Sequence, residues 1–182
     1  MMTRLILLDR DGVVNHDSPD YIKTPEEWIA IPGSIQAISD LKRSGRLVAV
    51  CTNQSGVARG MLSLAQLQAI HQKMSAALAN CGAALDGLIF CPHHPDEGCS
   101  CRKPQPGMLL EMMAQLGVAA DQTVYVGDSI RDAEAAAAAG CRFVLVRTGN
   151  GKAAEPRLRR QDLAEVYDDL ADFASSLNES DD

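Results

Sequence analysis

Five short apolar runs recur along the chain, each bounded by charge or by turn residues: "RLILL" (4–8), "RLVAVC" (46–51), "LDGLIFC" (85–91), "TVYVG" (123–127) and "RFVLV" (142–146). Runs this short, without polar alternation, are the pattern of strands buried on both faces. Helix-period segments separate them. Residues 32–45 place Ile35, Ile38 and Leu41 on one face and stop at Gly45. Residues 63–82 open with Ser63 and Gln66 at capping-box spacing. Segments 107–117 and 129–140 each end on glycine, the usual residue just past a helix. Strands alternating with helices mean βαβ units with right-handed crossovers. The expected fold is α/β: three layers around a Rossmann-like parallel sheet. A final helix is expected over about 157–177 from Leu163, Val166, Leu170 and Phe173, followed by an acidic tail, 178–182. With no internal repeat and no linker, 1–182 reads as a single catalytic domain.

Composition narrows the partners. A net charge of -7 over 182 residues argues against a phosphate-backbone partner, so no nucleic acid is expected. No apolar run approaches the roughly 20 residues of a membrane span, and the N-terminal run is too short for a signal peptide. A cytoplasmic protein without a membrane partner is expected. In a reducing compartment, clustered cysteines point to metal rather than disulfides. Cys51, Cys81 and Cys141 stand alone beside apolar or helical segments and read as buried small hydrophobes. Cys91, Cys99 and Cys101 crowd one loop with His93 and His94. Three thiolates and one imidazole suit tetrahedral Zn²⁺, and four protein ligands leave no open position, as in a structural site.

The chemistry gathers just past the strands, where parallel sheets bind ligands. The first strand ends in "DRDG", the second in "TNQSG", the third runs into the cysteine loop, and the fourth ends in "GDSIRD". Asp9, Asp11 and Asp128 would repel one another without a hard cation such as Mg²⁺. Thr52 and the backbone N–H groups after it suit phosphate oxygens, and Lys103 adds a positive charge. Ser129 and Asp132 read equally as a helix N-cap with a first-turn acid and as site residues. An anion bridging a metal and a lysine means phosphoryl chemistry.

Taken in order, "DRDG", "TNQSG", "CRKP" and "GDSIRD" resemble the four motifs of the haloacid dehalogenase superfamily of aspartate-nucleophile phosphatases, over roughly residues 4–150. The resemblance implies Asp9 as nucleophile and Asp11 as general acid, then base. It implies Thr52 and Lys103 on the phosphoryl group, with Mg²⁺ held by Asp9, the Asp11 carbonyl and Asp128, and Asp132 supporting. Val13 replaces the threonine of many relatives, with no loss of activity expected. The zinc loop over 91–101 is similar to that of two groups, phosphatases of D-glycero-D-manno-heptose 1,7-bisphosphate at C7 and histidinol-phosphate phosphatases. "TNQSGVARG" and "CRKPQPGM" resemble the heptose group more closely, which implies a phosphosugar substrate and a role in bacterial heptose nucleotide synthesis for lipopolysaccharide core. The Cys-x-His pattern of that group selects His93 for zinc. Asp17, Ser18, Pro19 and Asp20, with Asn53, Gln54, Ser55, Arg59 and Arg102, are the implied substrate contacts. A capless, monomeric enzyme is expected. A catalytically silent zinc-stabilised binding module is the alternative from another class.

Overall fold

The computed structural model describes residues 3–158 and 165–179. The chain runs β1 (Leu5–Leu8), α1 (Ser34–Arg43), β2 (Leu47–Asn53), α2 (Leu64–Asn80), β3 (Gly87–Cys91) and α3 (Gly107–Leu116). It continues through β4 (Thr123–Gly127), α4 (Ile130–Ala139), β5 (Arg142–Val146), the short α5 (Gly151–Ala154), β6 (Glu165–Tyr167) and α6 (Leu170–Glu179). One six-stranded parallel sheet has the order β3-β2-β1-β4-β5-β6. The strand order reverses between β1 and β4, which opens a crevice beyond their carboxyl ends.

Four of the five apolar runs are buried on both sides because alternate residues enter different cores; β3, at the edge of the sheet, is only partly buried up to Cys91. Ile6, Leu8, Val48, Val50, Val124 and Val126 face α1, α2 and α6 through Ile38, Leu41, Leu67, Ile70 and Phe173. Leu5, Leu7, Ala49, Tyr125, Phe143 and Leu145 face α3 and α4 through Met108, Met112, Ala133 and Ala136. This is the three-layer arrangement that the pattern predicts. Ser63 caps α2 reciprocally with Gln66, and Ser129 caps α4 reciprocally with Asp132. Among the described residues no helix is long and apolar enough to cross a membrane.

Two expectations are corrected. The single helix over 157–177 is instead a strand and a separate helix. Val166 and Tyr167 pair with Leu145 and Val146 and cover the edge of β5, an edge that a helix would have left unpaired. Asp169 then accepts from the backbone N–H of Asp172 (2.9 Å) and starts α6, whose Phe173 packs edge-on against Tyr167 (5.4 Å). Leu163 and residues 180–182 of the acidic tail lie outside the described residues. The second correction is Cys81. Cys51 and Cys141 are buried, but Cys81 is exposed because it follows α2 beyond Leu78, the last buried position of that helix.

Phe173 is fully buried. Phe173→Ala is expected to cost about 3–5 kcal/mol of stability, read as a lower urea midpoint. A change under about 1 kcal/mol would mean that α6 is not part of the cooperative core.

Candidate active site and metal centres

Asp9 follows β1, Asp128 follows β4, and Asp132 stands in the first turn of α4. Their carboxylate oxygens lie within 4.8 Å of one another. Lys103, from the loop between β3 and α3, enters the group with only 2% of its side chain exposed. Its Nζ meets Asp9 Oδ2 at 2.9 Å, Asp132 Oδ1 at 2.7 Å and the Tyr125 hydroxyl at 2.6 Å. An ammonium has three donors, so these partners use all of them. Asn53 fixes the lysine backbone from both sides, accepting from Lys103 N (3.0 Å) and donating to Lys103 O (3.1 Å).

One ammonium stands against three buried carboxylates, and the protonation balance reflects it. Burial pushes Asp9 well above the usual carboxylate range; Lys103 opposes this, while Asp132 and Asp128 add to it. Burial and the charge of Asp132 push Asp128 up to about 7. Burial would raise Asp132 as well, but Lys103, Ser129 and Tyr125 outweigh it and hold that carboxyl below its usual range. Excess buried negative charge on hard oxygen donors fits Mg²⁺. Asp132 is committed to Lys103, Ser129 and Tyr125. Asp128 instead takes both of its bonds, from Asn150 N (2.7 Å) and Asn150 Nδ2 (3.2 Å), on Oδ2, which leaves Oδ1 for a cation.

Asp11 takes a different direction from Asp9. Its carboxylate accepts from Arg10, from Asn15 Nδ2 (2.9 Å) and from Gln54 Nε2 (2.8 Å). Gln54 Nε2 also donates to Thr52 Oγ1 at 3.0 Å, which ties the end of β2 to Asp11.

Several residues of this arrangement escape sequence reasoning. Tyr125 is concealed inside an apolar strand. Thr148, Gly149 and Asn150 follow β5, the one strand end that was not read for chemistry. Thr148 Oγ1 donates to Gly12 O (2.6 Å), and Asn150 Nδ2 also reaches Asp17 Oδ2 (3.1 Å). Gly149 lies at φ +55°, and a Cβ there would come within 2.1 Å of Asp128 Oδ2. Only glycine lets this backbone approach the carboxylate.

Above the carboxylates lies a cavity of about 310 Å³. Asp17, Ser18, Pro19 and Tyr21 of the 17–21 loop, Thr52, Asn53, Gln54, Ser55, Arg59 and Arg102 line it, as do Arg131 and Asn150, which the sequence pattern does not single out. Asp20 does not line it; its backbone N–H turns to Ser18 Oγ (3.2 Å). The amides of Asn53 and Gln54 are occupied by Lys103 and Asp11, so both act on the site rather than facing a ligand freely. Arg102 Nη1 is buried with no hydrogen-bond partner among the described residues.

Cys91, His93, Cys99 and Cys101 form a second cluster. Cys101 Sγ lies 3.3 Å from Cys91 Sγ, 3.4 Å from Cys99 Sγ and 3.2 Å from His93 Nδ1. Cys91 Sγ lies 3.6 Å from Cys99 Sγ and 3.5 Å from His93 Nδ1. A zinc tetrahedron with bonds of about 2.0–2.3 Å has edges of about 3.5–3.8 Å; these two separations match it and those at Cys101 are slightly shorter, so the donor set suits that ion. His94 stands outside; its Nδ1 accepts from Asp96 N (3.3 Å).

The HAD-hydrolase-like family model matches residues 100–173. A D-glycero-beta-D-manno-heptose-1,7-bisphosphate 7-phosphatase of Bordetella bronchiseptica is 49% identical over 96% of this chain and 97% of its own. That of Pseudomonas aeruginosa is 49% identical over 97% and 99%. The crystal structure of the D,D-heptose 1,7-bisphosphate phosphatase of B. bronchiseptica, complexed with magnesium and phosphate, superposes with a TM-score of 0.94. It is 48% identical, over 98% of this chain and 99% of that one.

Gly149→Ala is expected to weaken Mg²⁺ binding by about 10–100-fold in calorimetry, because the added methyl displaces Asp128. Unchanged affinity would place the cation elsewhere. Elemental analysis is expected to find about one zinc per chain. Cys99→Ala should lose it and open residues 91–107 to proteolysis; a zinc-free protein with an equally protected loop would contradict the site.

Proposed function

Since the chain belongs to the haloacid-dehalogenase-like hydrolases, in the family of D-glycero-beta-D-manno-heptose-1,7-bisphosphate 7-phosphatases, we propose that it removes the C7 phosphate from the β anomer of that sugar bisphosphate. The observation that carries this reading is the Asp9–Lys103–Asp132–Asp128 group at the switch point of the sheet, in a chain 49% identical to such enzymes along nearly its whole length.

Asp9 is the nucleophile. One of its oxygens bonds to phosphorus as the bond from phosphorus to the sugar O7 breaks. Asp11 gives its proton to the departing O7, because an alkoxide is a poor leaving group without one. Asp11 then takes a proton from the water that attacks phosphorus, and Asp9 is released. The N–H that Lys103 directs at Asp9 is positioned to pass to a phosphoryl oxygen as the new bond forms, and Thr52 holds another. Mg²⁺ bound by Asp9, Asp128 and the carbonyl of Asp11 supplies positive charge against the phosphoryl oxygens. Asp132 holds Lys103.

Arg59, Arg102 and the 17–19 loop recognise the rest of the sugar phosphate, and the unpartnered Nη1 of Arg102 supports an anionic ligand there. The enzyme is proposed to be capless, its sugar recognised by these short loops. The enzyme is proposed to work as a monomer. Zinc is structural: its loop leads directly into Arg102 and Lys103, and its ordering contributes on the order of 10 kcal/mol. Clustered cysteines serving as metal ligands rather than disulfides fit a reducing cytoplasm, where the product is proposed to feed heptose nucleotide synthesis.

Phosphate release should be measured with Mg²⁺ from both heptose anomers and from histidinol phosphate. The β anomer is expected to give the highest kcat/KM, by about tenfold or more over the α anomer. A preference for histidinol phosphate would overturn the substrate. Asp9→Asn should lower kcat by about four orders of magnitude or more while retaining the fold; a retained rate would remove Asp9 from the chemistry.

A further inference from the structure

Behind Asp11 lies a buried chain of polar groups to which the chemistry above assigns no part. Arg10 is 1% exposed and His71, on the inner face of α2, is 9% exposed. Arg10 Nε and Nη2 both donate to Asp11 Oδ1 (3.0 and 2.9 Å), and Nη2 also reaches Oδ2 (3.0 Å). The remaining arm, Nη1, meets His71 Nε2 at 3.1 Å.

The direction of that last bond follows from chemistry. A guanidinium is always charged and only donates, so Nε2 accepts and the imidazole is neutral, with its proton on Nδ1. Burial and the charge of Arg10 push His71 down to about 4, which keeps it an acceptor at working pH. The ring is packed against Phe90, with centroids 5.7 Å apart. Because the guanidinium is planar, fixing Nη1 also fixes the plane in which Nε and Nη2 address Asp11. Without that anchor the fork can rotate with the carboxylate it holds.

We propose that His71 is a positioning residue for the general acid: by anchoring Arg10 it sets the place and orientation from which Asp11 delivers a proton to the leaving oxygen. The proposal rests on the reading of Asp11 as the acid of a phosphatase. It assigns α2, a helix that otherwise has only a packing role, a part in the proton transfer. The bland alternative is that Arg10 and His71 merely satisfy one another in the core.

Leaving-group dependence separates the two. The sugar alkoxide needs a proton to depart, whereas p-nitrophenolate leaves as a stable anion. kcat/KM for either substrate reports only the steps through formation of the aspartyl-phosphate, before water attacks. With Mg²⁺ present, His71→Leu is expected to lower kcat/KM for the heptose bisphosphate by about 10–100-fold while changing that for p-nitrophenyl phosphate less than about threefold. His71→Gln, whose amide oxygen can accept from Nη1, should recover most of the loss. If the leucine variant does not fold, His71→Met serves the same comparison. Equal loss on both substrates, no loss on the sugar, or a glutamine variant no better than leucine would each overturn the proposal. An unaltered enzyme that releases phosphate from neither substrate would sink the functional reading beneath it.

Discussion

Everything at the crevice depends on one buried ammonium. Three carboxylates are brought out of water at the ends of β1 and β4 and the start of α4, a grouping that is costly unless positive charge accompanies it. Lys103 is that charge, and it is held so firmly that it has no spare donor: Asp9, Asp132 and Tyr125 take all three. A lysine so placed can engage a phosphoryl oxygen only by releasing one of them. In the proposed mechanism Asp9 is the natural one to yield, because its own charge is consumed as it bonds to phosphorus. Ground state and reaction are linked by the same hydrogen bond.

The position of Lys103 is in turn over-determined from outside the crevice. The cysteine cluster ends at Cys101, two residues before it. Asn53, the last residue of β2, grips its backbone on both sides. A short, exposed loop would not by itself hold a lysine within a few tenths of an ångström; a metal-tied loop clamped to a central strand can. The cysteine cluster and the catalytic group are chemically separate but adjacent in the chain, so a zinc ion held by the first would steady the second.

Much of this was legible in the chain because it rests on local rules. Buried parallel strands leave apolar runs, capping boxes mark α2 and α4, and ligand-bearing residues fall just past each strand. Asp9, Asp11, Thr52 and Asp128 are legible in that way, and the structure gathers them with Lys103 around one crevice. What was missed depends on three-dimensional neighbours. Tyr125 reads as one more apolar strand residue until its hydroxyl is seen beside Lys103. Arg10 reads as the x of a short motif, and His71 as one polar position on a helix. Asn150 was within reach, since it follows β5 as Asp128 follows β4, but a glycine-rich turn carries no charge to draw attention. The strand β6 was lost because three residues hold too little pattern to compete with the helical spacing of Leu170 and Phe173.

The central claim is that Asp9 accepts the phosphoryl group before water does. The most direct measurement is rapid acid quench during turnover with Mg²⁺, borohydride reduction of any acyl phosphate, and mass spectrometry of the peptide carrying residue 9. Conversion of Asp9 to homoserine that depends on both substrate and Mg²⁺ is expected. Phosphate release with residue 9 unmodified, or reduction at another carboxylate, would contradict it.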